Sequence, residues 1–302
     1  MADEGMFNLK AYLSDKRTAV DGALAAWFPK AEGPLSDLIA AMRYSLFAGG
    51  KRLRPILCIA GCEAVGGNQE DVLSVACSLE LIHTYSLIHD DLPVMDNDDF
   101  RRGKPTSHKV FGDAMALLAG DGLLTEAFRM MTSKEISKRV PPAVLVQAVQ
   151  LISLAAGYEG MVGGQVVDIQ SEGKEPDLET VKYMHARKTG ALITASVTAG
   201  AVLAEAGEDA IGRIRSYGQK AGLAFQIADD ILDIEGDSEI LGKQTGADEN
   251  KGKMTYPAVL GLDESKKIQS DLIQSAIRDL SEFGNNAEPL RQIARYIIER
   301  KK

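Results

Sequence analysis

The 302-residue chain is 45% hydrophobic and 25% charged, and it carries a formal net charge of −9. It is long enough to bury a large core, and its acidity without a long basic run argues against a nucleic-acid partner. No Ser-rich, Gln-rich or like-charge tract divides it, so one domain over 1–302 is expected. The start, MADEGMFNLK, lacks the apolar stretch of a secretion signal, and the uncharged run 190–204 falls short of the ~20 residues that span a bilayer. A cytoplasmic location without stable membrane insertion is therefore expected. Cys58, Cys62 and Cys77 form no even framework, and Cys58 and Cys62 share a helix face at i, i+4, which suits reduced core thiols better than a zinc site.

Apolar residues recur at helical spacing almost throughout, and no convincing period-two run is bounded by hairpin turns, so the fold is expected to be all-α. The first helix is predicted over 7–28, stopped by Pro29. A second runs over 36–47 with Ser36 as its N-cap, and a third over 54–65, closed by Gly66 and Gly67. The fourth begins near Asp71 and carries Val75, Leu79, Ile82 and Leu87 to a stop at Pro93, after which 96–107 is polar and reads as a loop. Longer helices follow at 113–133, 142–170, 178–206 and 209–234, with two shorter ones after Ser265. Before those last two, 236–253 carries Gly, Asp and Lys without periodicity and is expected to be a mobile loop.

Two acidic clusters interrupt the apolar pattern. Asp90, Asp91 and Asp96 sit where an apolar helix ends, in LELIHTYSLIHDDLPVMD. A helix C-terminus carries partial negative charge, so carboxylates there cost stability unless a cation is present. Asp229, Asp230 and Asp233 lie in GLAFQIADDILDI, with Asp229 and Asp233 on one face and Asp230 close to Asp233 at i, i+3. Two carboxylates about 4 Å apart repel by roughly 4 kcal/mol at an effective dielectric of ~20, so converging acids call for several positive charges. Magnesium, a hard cation that keeps waters and bridges to phosphate oxygens, suits such a set better than an all-protein calcium cage does. The alternative is a solvated acidic face, but surface charge normally lies opposite the apolar stripe.

Cations for phosphate charge are also present. In Gly49-Gly50-Lys51-Arg52-Leu53-Arg54-Pro55 the glycines allow close backbone approach, and the Arg54 fork with the point charge of Lys51 suits a diphosphate. Arg101-Arg102-Gly103-Lys104 follows the first acid cluster within one loop. Taken singly, each is as well read as a solvated basic loop; beside two buried-looking acid clusters the preference reverses. His83 lies two helical turns before Asp90 on the same face, where a phosphate contact or a satisfied core position are both open. Lys188 with Thr189, Gln165 with Asp168, Gln226, Lys243 and Lys253 are polar groups in or near apolar helices.

Together, Gly50-Lys51-x-x-Arg54-Pro55, His83, Asp90-Asp91-x-x-x-x-Asp96 with Arg101-Arg102-Gly103, Lys188-Thr189 and Asp229-Asp230-x-x-Asp233 resemble the trans-isoprenyl diphosphate synthases. The stretch HTYSLIHDDLPVMDNDDFRRGKPTSHKVFGD looks most like bacterial farnesyl diphosphate synthases and their close geranylgeranyl relatives. The resemblance implies an all-helical isoprenoid synthase fold around a central cavity, two aspartate motifs facing across its mouth, and a homodimer. It implies that Asp90, Asp91, Asp96, Asp229 and Asp233, with Asp230 nearby, hold several Mg²⁺ ions, three with substrate bound. Arg101, Lys188, Lys243 and Lys253 would then bind the allylic diphosphate, and Gly50, Lys51, Arg54, His83 and Arg102 isopentenyl diphosphate.

The implied reaction ionises the allylic substrate, and the isopentenyl double bond attacks the cation. The released diphosphate removes the proton, Thr189, Gln226 and backbone carbonyls shield the cation, and the 236–253 loop closes to exclude water. Bulk just below the first aspartates would set product length. Tyr85, five residues before Asp90, resembles the aromatic floor that stops growth at fifteen carbons, with the small Ser86 beside it; Tyr85 as plain core remains open. A geranylgeranyl or geranyl product is the enzymatic alternative. A metal phosphohydrolase on His89-Asp90 lacks its further histidines, and an inert helical prenyl-lipid partner would be expected to have eroded acid clusters.

Overall fold

A computed structural model describes residues 7–175, 177–235 and 253–299, and among these the helical period is realised almost everywhere. Helix α1 (Leu9–Trp27) is capped by Asn8, whose Oδ1 accepts from the Ala11 N–H at 3.0 Å. Then come α2 (Ser36–Leu46), α3 (Leu53–Ala64) and α4 (Gln69–Asp90). Ser36 is not the cap of α2. A 3₁₀ turn over Gly33–Leu35 leads directly into the helix, so Ser36 is its first residue.

The polar stretch after α4 is not wholly loop. Strands β1 (Phe100–Arg101) and β2 (Lys104–Pro105) pair antiparallel, joined by Arg102 and Gly103, both at positive φ as a type I′ hairpin turn requires. A strand of two residues is too short to carry a period, which is why the pattern missed it. Next are the short α5 (Ser107–Phe111), the long α6 (Asp113–Met131) and the short α7 (Lys134–Ser137).

The helix expected over 142–170 is two: α8 (Pro142–Ala156) and α9 (Met161–Ser171). They part at Gly157 to Gly160, where a Cβ at Gly160 would lie 2.1 Å from the Ala155 carbonyl oxygen. The span expected over 178–206 is α10 (Leu178–His185) and α11 (Ala191–Leu203), joined by a π-turn at Ala186–Gly190. Helix α12 (Glu208–Glu235) follows, then α13 (Tyr256–Leu260), α14 (Leu262–Asp279) and α15 (Glu288–Glu299).

Helix α4 sits deep in the structure, packing Val72, Val75, Leu79 and Ile82 among α1, α3, α6 and α11. Helices α3 and α11 touch backbone to backbone: a Cβ at Gly200 would stand 1.9 Å from the Cys58 carbonyl oxygen. Gly200→Val is therefore expected to lower stability by at least ~1–3 kcal/mol, the usual cost of overpacking; an unchanged thermal melt would show the pair is less rigid than it looks. All three cysteines are buried and unbridged, and burial pushes Cys62 and Cys77 up to about 12.

An uncharged stretch longer than 190–204 lies at 140–158. Two described spans, Gln69–Asp90 and Pro142–Ser171, are long and apolar enough to cross a membrane. The first is 67% buried among other helices, as a core helix is, and the second is interrupted by the α8–α9 break.

Candidate active site

The C-terminus of α4 delivers Asp90 and Asp91 together. Pro93 disfavours continuation, and the chain turns back so that the Asp96 N–H donates to the Asp90 carbonyl at 2.9 Å. Burial pushes the Asp90 carboxyl up to about 6, with Asp96 and Asp91 adding to the rise, while Lys188 and Arg101 oppose it. Asp91, 3% exposed, is raised chiefly by burial as well, and Arg101 pulls it back. The Arg101 Nε lies 2.8 Å from both Asp91 oxygens, so Asp91 is tied to the hairpin before any ligand arrives.

The hairpin turn sends its two arginines to different places. Arg101 grips Asp91, while Arg102 donates to the Gly49 carbonyl and lies against Gly50, where a Cβ would be 2.7 Å from the guanidinium. Arg102 thus joins the 49–55 segment, whereas Arg101 stays with Asp91. Gly50, Lys51, Arg54, His83 and Arg102 line a cavity of about 710 Å³. Burial pushes the His83 imidazole well below its usual range, with Arg54, Arg102, Arg101 and Arg52 adding to the drop. A neutral ring leaves it one donor and one acceptor. Burial also lowers Arg54 to about 10, opposed by Glu80 and Asp229. Its Nε is buried without a hydrogen-bond partner, a donor directed at nothing in the protein.

Arg52, inside the same basic run, is structural. It stands at φ 53°, is 3% exposed, and donates to Asp21 at 2.7 Å, Glu80 at 2.8 Å and the Leu46 carbonyl at 2.8 Å. Arg17, Glu80 and Phe225 also line the cavity and escaped the sequence reading. Glu80 had a signal, a carboxylate between Leu79 and Leu81 in an apolar helix. Arg17 and Phe225 had none, being brought in from α1 and α12.

The π-turn presents Lys188 and Thr189. Gly164 of α9 lets that turn come close, since a Cβ there would be 2.2 Å from the Lys188 nitrogen. Lys188 then donates to Asp168 at 2.5 Å, and Thr189 to Gln226 at 2.7 Å. Gln165, one turn before Asp168, has both amide atoms buried without partners. Lys253, Lys188, Asp168, Gln226 and Asp230 line a small polar pocket of about 90 Å³. Lys243 and nearly all of the predicted 236–253 loop lie outside the described residues.

Helix α12 carries Asp229, Asp230 and Asp233, the last two buried. Each acid cluster has its own cation nearby: Lys188 opposes the rise of Asp90, and Asp229 favours the charged form of Arg54. Among the described residues no three acidic, histidine or cysteine side chains converge tightly enough to hold a metal by themselves. An oxygen-only donor set with a carboxyl raised by burial still fits Mg²⁺, an ion bound through one or two carboxylates with waters and phosphate oxygens completing the shell. Tyr85 is 7% exposed, one turn before His89 and edge-on to its ring at 5.6 Å, and the Ser86 hydroxyl donates to the His83 carbonyl at 2.9 Å. His89 itself lies 3.0 Å from the Leu117 carbonyl, and His108 and His185 are occupied elsewhere, so no phosphohydrolase histidine set forms.

Residues 36–296 match the family model described as polyprenyl synthetase. The chain is 46% identical to a farnesyl diphosphate synthase of Geobacillus stearothermophilus, over 97% of this chain and 98% of that protein. It is also 46% identical to a geranylgeranyl diphosphate synthase of Cyanophora paradoxa, over 97% of each. The apo crystal structure of an FPP/GFPP synthase from Zymomonas mobilis has the same fold, with a TM-score of 0.87 at 41% identity, covering 96% of this chain and 99% of that one. The helical fold and the full-length matches agree, and the chain belongs to the polyprenyl synthetase family, whose members here are prenyltransferases that transfer alkyl groups other than methyl.

Proposed function

We propose that the protein condenses isopentenyl diphosphate with dimethylallyl and geranyl diphosphate to make farnesyl diphosphate, with Mg²⁺ bound. The observation that carries this is the convergence of Arg54, His83, Arg102 and Lys51 on one cavity, with Arg54 coupled to Asp229 and Lys188 coupled to Asp90. Asp90, Asp91, Asp96, Asp229 and Asp233 would hold the metal, which supplies positive charge for the leaving diphosphate. Arg101, Lys188 and Lys253 bind and orient that diphosphate. The neutral His83 and the Arg54 guanidinium, whose buried Nε has no partner in the protein, supply hydrogen bonds to the second substrate, and the Thr189–Gln226 pair offers oxygens to the developing cation.

Chain length rests on Tyr85. Its buried ring lies one to two turns below the acids, where a growing tail would end. Tyr85→Ala is expected to shift the product to twenty carbons or more, read by chromatography of the dephosphorylated alcohols; an unchanged fifteen-carbon product removes Tyr85 from the account. The geranylgeranyl reading is favoured by relatives that carry that name. Incubating the protein with Mg²⁺, isopentenyl diphosphate and dimethylallyl diphosphate decides between them: a C15 alcohol supports the farnesyl product, a C20 alcohol the alternative, and no elongation refutes both.

A homodimer is part of the same proposal. Leu117, Leu118, Val146, Leu154, Val162 and Val166 stand exposed on the neighbouring helices α6, α8 and α9, a face suited to a second copy. Three buried unbridged thiols suit a reducing cytoplasm.

A further inference from the structure

We infer that Asp230 is a positioning residue that ties α13 and the π-turn to α12 instead of holding metal, an assignment that rests on the diphosphate-site reading above. Sequence spacing places it among three potential ligands, but Asp229 and Asp233 share one helix face and Asp230 stands about 100° round from Asp229. Both of its oxygens are used by the protein. Oδ2 accepts the Tyr256 N–H at 3.0 Å, and Oδ1 accepts from the Gln226 amide at 3.3 Å.

One bond crosses to α13, and the other stays within α12, where Gln226 lies one turn before Asp230. Tyr256 opens α13, so its N–H is one of the unsatisfied donors of a helix start, and Asp230 satisfies it from another element. Gln226 passes the connection on: its Oε1 accepts from Thr189 at 2.7 Å, and Thr189 adjoins Lys188 in the π-turn. His185, which ends α10 just before that turn, closes the arrangement. Its ring stacks on Tyr256 at 5.4 Å and 18°, with Nε2 at 3.6 Å from Asp230 Oδ2. Asp230, His185 and Tyr256 are only 3%, 4% and 1% exposed. Lys188, Lys253 and Thr255 line the pocket beside this chain of bonds, so the same carboxylate fixes both walls that carry the lysines.

The hydrogen-bond direction makes the assignment testable. In Asp230→Asn, the amide oxygen still accepts from Tyr256, and the amide nitrogen donates to Gln226 once the Gln226 amide flips. Its Nε2 then donates to the Thr189 hydroxyl, which accepts as readily as it donates. The network survives while the charge is lost. A metal ligand has no such escape, because a neutral amide replaces an anionic oxygen donor.

The test compares full-length Asp230→Asn, Asp230→Ala and Asp229→Asn by hydrogen–deuterium exchange over 254–260, by equilibrium Mn²⁺ binding with inorganic pyrophosphate, and by steady-state kinetics. Positioning predicts that Asp230→Asn keeps wild-type exchange and Mn²⁺ affinity. It predicts that Asp230→Ala exchanges about tenfold faster or more at the start of α13 and loses about a hundredfold in kcat from misplaced groups, with Mn²⁺ affinity kept. Asp229→Asn should show the reverse, weakened Mn²⁺ binding with unchanged exchange. The assignment is overturned if Asp230→Asn weakens Mn²⁺ binding as Asp229→Asn does, or if Asp230→Ala leaves exchange unaltered. Should Asp230→Ala not fold, wild-type exchange and Mn²⁺ binding in Asp230→Asn support the assignment. Wild-type protein that binds no Mn²⁺ with pyrophosphate would sink the diphosphate reading, while the exchange result still decides whether Asp230 is an anchor.

Discussion

Asp90→Asn and Asp229→Asn are each expected to lower kcat by about a thousandfold, the effect of removing one preorganised electrostatic element from the transition state. The informative comparison is the double variant. If the two clusters serve one diphosphate, the second substitution removes little that the first has left, so the combined loss stays far below the product of the single losses. Independent sites would multiply to about a millionfold. Because the burial that pushes Asp90 up to about 6 already disfavours its ionised form, neutral Asn should cost little folding stability. Circular dichroism and thermal melts therefore separate catalysis from folding, and multiplicative losses in kcat would show that the clusters act apart.

Glu80→Ala is expected to destabilise the protein by about 3–5 kcal/mol, the cost of leaving a buried charge without its partner. Glu80 is 1% exposed, accepts from Arg52 at 2.8 Å, and holds Arg54 and Arg102 toward their charged forms. Arg52 keeps only Asp21 as an acidic partner after the change, and Asp21 is half exposed to solvent. Glu80→Gln, which retains an acceptor of nearly the same shape, should lose less. Thermal melts of the two variants check this, and equal melting of Glu80→Ala and wild type would mean that the ion pair contributes nothing net.

The all-helical class was legible because the apolar segments that became α3, α4, α11 and α12 are longer than strands and show almost no alternation; α4 and α11 are apolar on nearly every side, as helices buried in a core are. Interruptions were less legible. The α8–α9 break depends on how close the Gly160 Cα comes to the Ala155 carbonyl, and the π-turn on α9 packing through Gly164, contacts that no local pattern announces. At the site, residue types that clash with an apolar helix marked positions whose charges act on one another in the fold, Lys188 on Asp90 and Asp229 on Arg54. What spacing could not separate was function within a cluster. Arg52 and Arg54 stand two residues apart in one basic run and line the same cavity, yet a left-handed backbone turns Arg52 toward Asp21 and Glu80, which occupy its guanidinium, while the Arg54 Nε has no partner in the protein. Asp230 is likewise engaged by the Tyr256 N–H, a partner that the spacing of the three acids does not announce.

The central claim is that both acid clusters take the same metal-bound diphosphate. A crystal soaked with Mn²⁺ and inorganic pyrophosphate tests it most directly through the metal's anomalous scattering. Manganese peaks are expected between Asp90 and Asp229, with pyrophosphate oxygens within hydrogen-bond reach of Arg101 and Lys188. Peaks confined to one cluster, or pyrophosphate bound away from both, would contradict it.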